Sequence, residues 1–530
     1  MSARTIVRRT AALVAAASLG AAMGCASLRT LARSYDVADD GLQRQEHDLR
    51  MAMDARAFDS ALVRVRNPDG AAPRDELLRS MYGGLVAYYA GAFDASAHDL
   101  DQAANLAEDR WTKSVTRGAA ALATNDMALD YMPGRTERLL VHYYAMLGYL
   151  QRDSAEAAAV EARRLSRLLD QFADGRDPRE AKLHGTLHYL AGTAFEAAGQ
   201  RTDADVSYRN ATLLLADSSS AAPAVAPIAL ADSVHAAPTR PVKRSALAAR
   251  PPARPAPVVA APPTGDVVVV VEWGFVAHRV QHDFAMAVDS GQLSALALGS
   301  TADRDGDRSA LVGVMRQIDR REHETYENER WRDGHSHRRG HTFSLGDDDD
   351  DMLYVAWPAL ERPLPAAGPA GLMADSGTVV PLRAQADLSD AASADYARDR
   401  AAVITRAIAR AAVKYAATHV AKKKGGDVAH VLVGASSLLL ERADTRSWQL
   451  LPGEVGTVRL TLPAGVHRLA IDMPGASGGR IDLGEVTVVP GRVRVTAVRL
   501  WRDGPAVAGV PIGPAATAVA ATAADSTASH

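Results

Sequence analysis

Three imidazoles, His335, His337 and His341, stand close together in the sequence, and the unbroken acidic run Asp347 to Asp351 follows them. Imidazoles at that spacing can share a transition metal, and a carboxylate run attracts a hard cation. A metal centre also needs geometry set in advance by its surroundings. Gly334, Gly340 and Gly346 punctuate this stretch, so the insertion at 320–352 reads as a polar loop, with His335, His337 and His341 as the ligands a metal would use there. Asp303-x-Asp305-Gly306-Asp307 has the letters of a calcium loop, but Val314 stands where the twelfth-position glutamate belongs. Gly475-Ala476-Ser477-Gly478-Gly479 spells a nucleophile elbow, which requires a strand running into a helix. Here it follows Pro474 between two strand-like runs and reads as a hairpin loop. No lysine follows a serine by three, no H-E-x-x-H is present and the chain has one cysteine, so the usual serine, zinc and thiol arrangements are missing. The expectation is a protein that is not an enzyme and carries no cofactor.

The single thiol, Cys25, draws its meaning from position. Arg4, Arg8 and Arg9 precede a short apolar run from Ala11 to Ala22, too short to span a bilayer, and the segment closes on Ala22-Met23-Gly24-Cys25. That ending resembles the bacterial lipobox, with Ala22 and Met23 departing from its commonest residues. The resemblance implies cleavage before Cys25, lipid on its thiol, and a stable anchor because several acyl chains bury many methylenes. An ordinary cleaved signal or a buried free thiol is the alternative. Ala26 after the cysteine favours the outer membrane, facing the periplasm, by resemblance to the enterobacterial sorting rule.

With 60 Lys+Arg against 63 Asp+Glu, the net charge of -3 offers no basic field for nucleic acid. At 530 residues and 47% hydrophobic, the chain can build two or three cores. Aromatics make up only 5%, and the abundance of alanine suits helices whose axes approach closely.

From Asp75 to Ala216 apolar residues recur at helical spacing. Within this stretch, Gly192, Phe195, Gly199, Ala204, Tyr208 and Ala211 are spaced as in a tetratricopeptide repeat, which they resemble: small residues where two helices touch, and a glycine at the turn. Gly84, Gly91, Phe93, Ser96, Leu100 and Ala103 repeat the frame. A third copy around Tyr143 to Arg164 keeps Ala157 and has Arg152 where the turn glycine belongs. Such pairs stack into a short superhelix with a concave surface suited to peptides or proteins. Tyr82, Tyr88, Tyr89, His142, Tyr143 and Tyr144 could line that surface, but aromatics at this spacing read first as core.

Asp217 to Thr264, rich in Ala and Pro, reads as a semi-stiff spacer. Val267 to Val271 with Glu272, Trp273 and Gly274 reads as a buried strand, and Tyr396 to Lys424 as one long helix whose Arg400, Arg406, Arg410 and Lys414 form a solvated face. Val455 to Leu500 alternates as in a small antiparallel sandwich. The expected division is a signal peptide at 1–24, a tether and first helix at 25–72, helical repeats at 73–216, a disordered linker at 217–264, an α+β domain at 265–440, a β-sandwich-like module at 441–502 and a disordered tail at 503–530.

Arg138 to Arg164, Asp399 to Lys414 and Ala443-Asp444-Thr445-Arg446-Ser447-Trp448-Gln449-Leu450-Leu451-Pro452, with the Val267 to Gly274 strand, together resemble an uncharacterised family of bacterial lipoproteins with tetratricopeptide-like repeats. The resemblance implies a cell-envelope setting and supplies no mechanism. The long Ala/Pro linker and the His/Asp insertion depart from it. The function expected is a membrane-anchored scaffold that holds envelope proteins or peptides on its repeats. The alternatives are a cell-envelope enzyme with its site in the C-terminal α+β domain, or a lipoprotein that binds peptidoglycan or polysaccharide.

Overall fold

The computed structural model describes residues 46–66, 73–113, 129–216, 262–287, 315–320, 352–363, 370–412, 443–473, 480–500 and 509–512, apart from a few single positions. Cys25, the insertion with His335, His337, His341 and its acidic run, the Asp303 loop, Ser477 and Lys414 lie outside them.

Helices occupy the N-terminal half and sheets the C-terminal part. Among the described residues two helices, α1 (48–53) and α2 (Phe58–Arg66), precede residue 73 where one was expected. Three helical hairpins follow: α3 (Glu76–Tyr89) with α4 (Phe93–Lys113), α5 (Arg135–Gln151) with α6 (Ala155–Gln171), and α7 (Pro178–Ala197) with α8 (Arg201–Ala216). Their turns explain the glycines. Gly91 and Gly199 adopt φ of 74° and 72°, where a side chain is strained, and each stands two residues before its second helix. In the middle hairpin the residue in that place is Asp153, at φ 57°, so the left-handed position falls one residue beyond Arg152. The small-residue position shifts with it. Ala158 is fully buried alongside Ala204, whereas Ala157 is partly exposed. A one-residue slip turns a helix by about 100°, enough to misassign the packing face.

Where the paired helices touch, bulk is divided between them. A Cβ on Gly84 would come within 2.5 Å of Leu100, and one on Gly192 within 2.7 Å of Tyr208. In the middle hairpin the equivalent pair is Met146 and Ala162, both fully buried, so the large residue has changed sides. Phe93, Phe195 and Ala211 are buried.

The sheets are β1 (Thr264–Trp273), β2 (His278–Ala287), β3 (Met352–Glu361), β4 (Ala370–Ala374), β5 (Val380–Leu382), β6 (Ala386–Asp387), β7 (Glu454–Pro463), β8 (Gly465–Asp472), β9 (Arg480–Val488), β10 (Val493–Leu500) and β11 (Gly509–Ile512). A five-stranded sheet runs β11-β10-β1-β7-β6, a four-stranded one β5-β4-β8-β9, and β2 pairs with β3. Helix α9 (388–412) follows β6; it starts earlier than Tyr396, with Asp387 Oδ1 accepting the backbone N–H groups of Ser389 and Asp390.

The stacking order is helices, five-stranded sheet, four-stranded sheet, and β1 shows why. Val268 and Val270 belong to the core shared with the hairpins, while Val267, Val269 and Val271 belong to the core shared with the four-stranded sheet. A strand buried on both faces is apolar throughout, which accounts for five valines in a row. Three expectations are corrected here. Residues 441–502 do not form a self-contained antiparallel module: β1 pairs in parallel with β10, and β4 completes the second sheet. The hairpins and the five-stranded sheet share one continuous core despite the stretch of chain between them. Residues 509–512, expected in a disordered tail, form an edge strand on β10. Alternation along a strand tells which faces are buried but not which strands are neighbours.

Candidate functional site at the helix–sheet junction

The polar residues that matter most lie between the hairpins and the sheet. Glu272 on β1 and Arg499 on β10 are register partners, and both are fully buried. A charge taken out of water is tolerated only when paired and hydrogen-bonded. Glu272 accepts from Tyr89 at 2.6 Å, Tyr143 at 2.9 Å and Tyr144 at 3.0 Å, all on the first helices of two hairpins. Arg499 Nη1 stands 3.9 Å from Glu272 and donates to the Tyr89 hydroxyl, while Nη2 donates to the Gly274 carbonyl. Its guanidinium also lies over the rings of Tyr89 and Phe275. Burial pushes the Tyr89, Tyr143 and Tyr144 hydroxyls well above the ordinary phenol range, with Glu272 adding to the rise, so they remain donors. Tyr89, Tyr143 and Tyr144 are therefore core in their rings and polar fasteners at their tips.

A second set of contacts surrounds residues 443–451. This stretch has no strand or helix of its own: Asp444 Oδ1 accepts the Arg446 N–H at 3.1 Å, and the chain turns at Gln449 and Leu450, with the Gln449 N–H 3.0 Å from the Ser447 carbonyl and the Leu451 N–H on that of Trp448. Its remaining main-chain groups find partners elsewhere. The Tyr82 hydroxyl lies 2.8 Å from the Ser447 carbonyl and accepts the Gln449 N–H at 3.1 Å. Glu137 Oε1 accepts the Trp448 N–H at 2.8 Å, and Gln281 accepts that of Ala443 at 3.1 Å. Arg446, 1% exposed, donates from Nε and Nη2 to the two oxygens of Asp444 and from Nη1 to Asp75 at 2.8 Å. Although burial opposes it, the Arg446 guanidinium brings the Asp444 carboxyl below its ordinary value. The Trp448 indole meets the Tyr144 ring edge-on at 5.9 Å. Glu46 accepts from Gln449 Nε2 at 2.7 Å and lies 3.2 Å from the Tyr82 hydroxyl.

The third hairpin is held differently. Arg398 on α9 bridges Glu180 and Asp395, and Asp395 Oδ2 accepts the Thr136 N–H at 2.7 Å. Arg459 on β7 grips Glu196 with both terminal nitrogens at 2.8 and 2.7 Å and donates from Nε to Asp266. Tyr208 donates to the same glutamate at 2.5 Å. Arg494 on β10 pairs with Asp153, the left-handed residue of the middle turn.

Among the described residues no group of three His, Cys, Asp or Glu side chains could hold a metal, and no helix is long and apolar enough to cross a membrane. Residues 443–452 and the tyrosines 82, 89, 143 and 144 stand out in the sequence, but their meeting with Glu272 and Arg499 does not. Glu272 carried a usable signal: a carboxylate ending a run of valines bound for the interior needs buried donors. Arg499, Asp395 and Arg398 carried none, since nothing local distinguishes them from surface charges. The basic face expected on the long helix is divided, with Arg410 buried and Arg400 paired to Asp319. No family model and no curated protein matches the chain.

Proposed function

We propose that this chain is a lipid-anchored lipoprotein of the bacterial cell envelope, tethered through Cys25 to the outer membrane and facing the periplasm. Its three hairpins act there as tetratricopeptide-like repeats that hold protein partners, in line with the lipoprotein family the sequence resembles. The observation that carries the scaffold reading is the common frame of the hairpins: left-handed residues Gly91, Asp153 and Gly199, each two positions before a second helix. A repeated frame builds an extended surface rather than a cleft. Because the first helices already face the chain's own sheet, the surface offered to folded partners is that of the second helices, where Val160, Val206 and Leu213 are exposed. Scattered apolar side chains alone are ordinary on a surface, so the reading rests on the frame.

The test is crosslinking in cells from photoreactive residues at Val160, Val206 and Leu213, compared with Val466 on β8. Capture of envelope proteins from the helices alone is the expected result; capture only from Val466 would move the working surface to the sheet. Cys25→Ser should release the chain from membranes.

A further inference from the structure

Around the start of α5, the α6–α7 turn and the first half of α7, five buried side-chain nitrogens have no hydrogen-bond partner among the described residues. They are Nη1 of Arg135 and of Arg138, Nε of Arg176, and Nδ1 of His184 and of His188. The Arg135 and Arg138 guanidiniums lie 5.2 and 5.5 Å from the ring of Phe172, which directly follows α6. His184 and His188 stand one turn apart on α7 and are 1% and 4% exposed. After burial itself, the Arg176 charge is what most disfavours protonation of both rings, and at His184 the neighbouring His188, Arg398 and Arg135 add to it.

The carboxylates nearby are engaged elsewhere. Glu180, one turn before His184, and Asp395 both hold Arg398, Asp177 holds Arg179, and Glu108 takes only Nη2 of Arg138. Arg135 and Arg176 have no ion pair among the described residues. An unpaired buried donor is costly, and guanidiniums gathered without a counter-charge add repulsion to that cost. A cation would be repelled by the same charges. A neutral imidazole can present an N–H on either nitrogen, so each of the five nitrogens can serve as a donor. A phosphate group carries close to two negative charges and three acceptor oxygens, which suits donors arriving from two helices and the turn between them. A carboxylate offers one charge and two oxygens in a plane.

We propose that Arg135, Arg138 and Arg176, with the imidazoles of His184 and His188, form a binding site for a phosphate group. The site depends neither on the lipid anchor nor on the outer face of the second helices.

The direct test is equilibrium dialysis of the full chain against labelled inorganic phosphate. Saturable binding is expected, weakened at least about tenfold in the double variant Arg135→Gln, Arg176→Gln. Displacement by glycerol 3-phosphate would make the ligand a monoester, and failure of the ester to displace would make it the free ion; both support the site. Melting temperatures give a second readout. The unaltered chain should melt at least about 2 °C higher in phosphate than in chloride of equal ionic strength. The exposed Arg209→Gln on α8 should keep that difference and the double variant should lose it. In chloride the double variant, which removes like charges and no hydrogen bond, should be as stable as the unaltered chain or more so. Absence of saturable binding by the unaltered chain overturns the proposal, and so does a double variant that binds phosphate as well as Arg209→Gln does.

Discussion

Asp395 caps a helix from 259 residues away in the chain: its Oδ2 accepts the N–H of Thr136, in the first turn of α5. The residue at the cap position, Gly134, has no side chain to do this, and a Cβ there would lie 2.9 Å from the same oxygen. The glycine and the distant carboxylate are two halves of one device. Asp395→Ala should cost about 1–2 kcal/mol, the usual range for a lost N-cap, measured by urea unfolding. Gly134→Ala should cost a similar amount by pushing the carboxylate aside.

The same carboxyl gives a pH signature. Burial raises its pKa to about 6, against the opposing hydrogen bonds from Thr136. The folded state therefore holds the proton more tightly than the unfolded chain, and this group's contribution falls as pH rises from about 4 to 6. Asp395→Asn keeps an acceptor oxygen but never ionises. It should lose less stability than Asp395→Ala and should lack that slope.

His184 and His188 push the other way. Both are buried on α7 with Nδ1 atoms lacking partners among the described residues, and burial, aided by Arg176, lowers their pKa to about 3 and about 4. The unfolded chain takes up protons first, so their contribution is present above pH 6.5 and is lost as pH falls towards those values. By pH 5 the loss is on the order of 2 kcal/mol for each. A His184→Leu, His188→Leu variant should show a flatter acid limb between pH 7 and 5 in urea midpoints.

The repeat frame predicts two glycine substitutions with different causes. Gly192→Ala meets the Tyr208 ring and should cost about 1–3 kcal/mol by overpacking. Gly199→Ala meets nothing within 4 Å and is strained only through its φ of 72°, at about 1–2 kcal/mol. Shortening the neighbour with Tyr208→Leu should reduce the first penalty and leave the second unchanged.

Those glycines were legible in the sequence because turn and packing glycines recur at fixed spacing, and two of the three hairpins could be placed from them. The middle one slipped by a residue because its left-handed position is filled by Asp153, a type that tolerates the conformation without announcing it. The five-valine strand was readable for the same kind of reason: burial on both faces leaves an unbroken apolar run. Its neighbours were not, since the partners that make β1 central come from 454–463 and 493–500. The junction was hardest. Arg499, Asp395 and Arg398 reach Glu272, Thr136 and Glu180 across the fold, and a pairing that exists only after folding leaves no local pattern.

Glu272 is where the joining of hairpins to sheet should be most sensitive. Glu272→Ala leaves Arg499 buried without its carboxylate and removes the acceptor of three tyrosines, so about 3–5 kcal/mol should be lost. Replacing Glu272 and Arg499 together by Leu and Met should recover part of that, which a double-mutant cycle would measure.

The hairpins and the five-stranded sheet are one body, fastened at Glu272 and along residues 443–451. Thermal unfolding followed at once by helical circular dichroism and by the fluorescence of the tryptophans outside the hairpins, with Trp111 of α4 replaced by Phe, tests this most directly. Coincident transitions in the unaltered chain, shifting together in Glu272→Ala, are the predicted result. Two separate transitions, with the helices melting independently of the tryptophans, would contradict it.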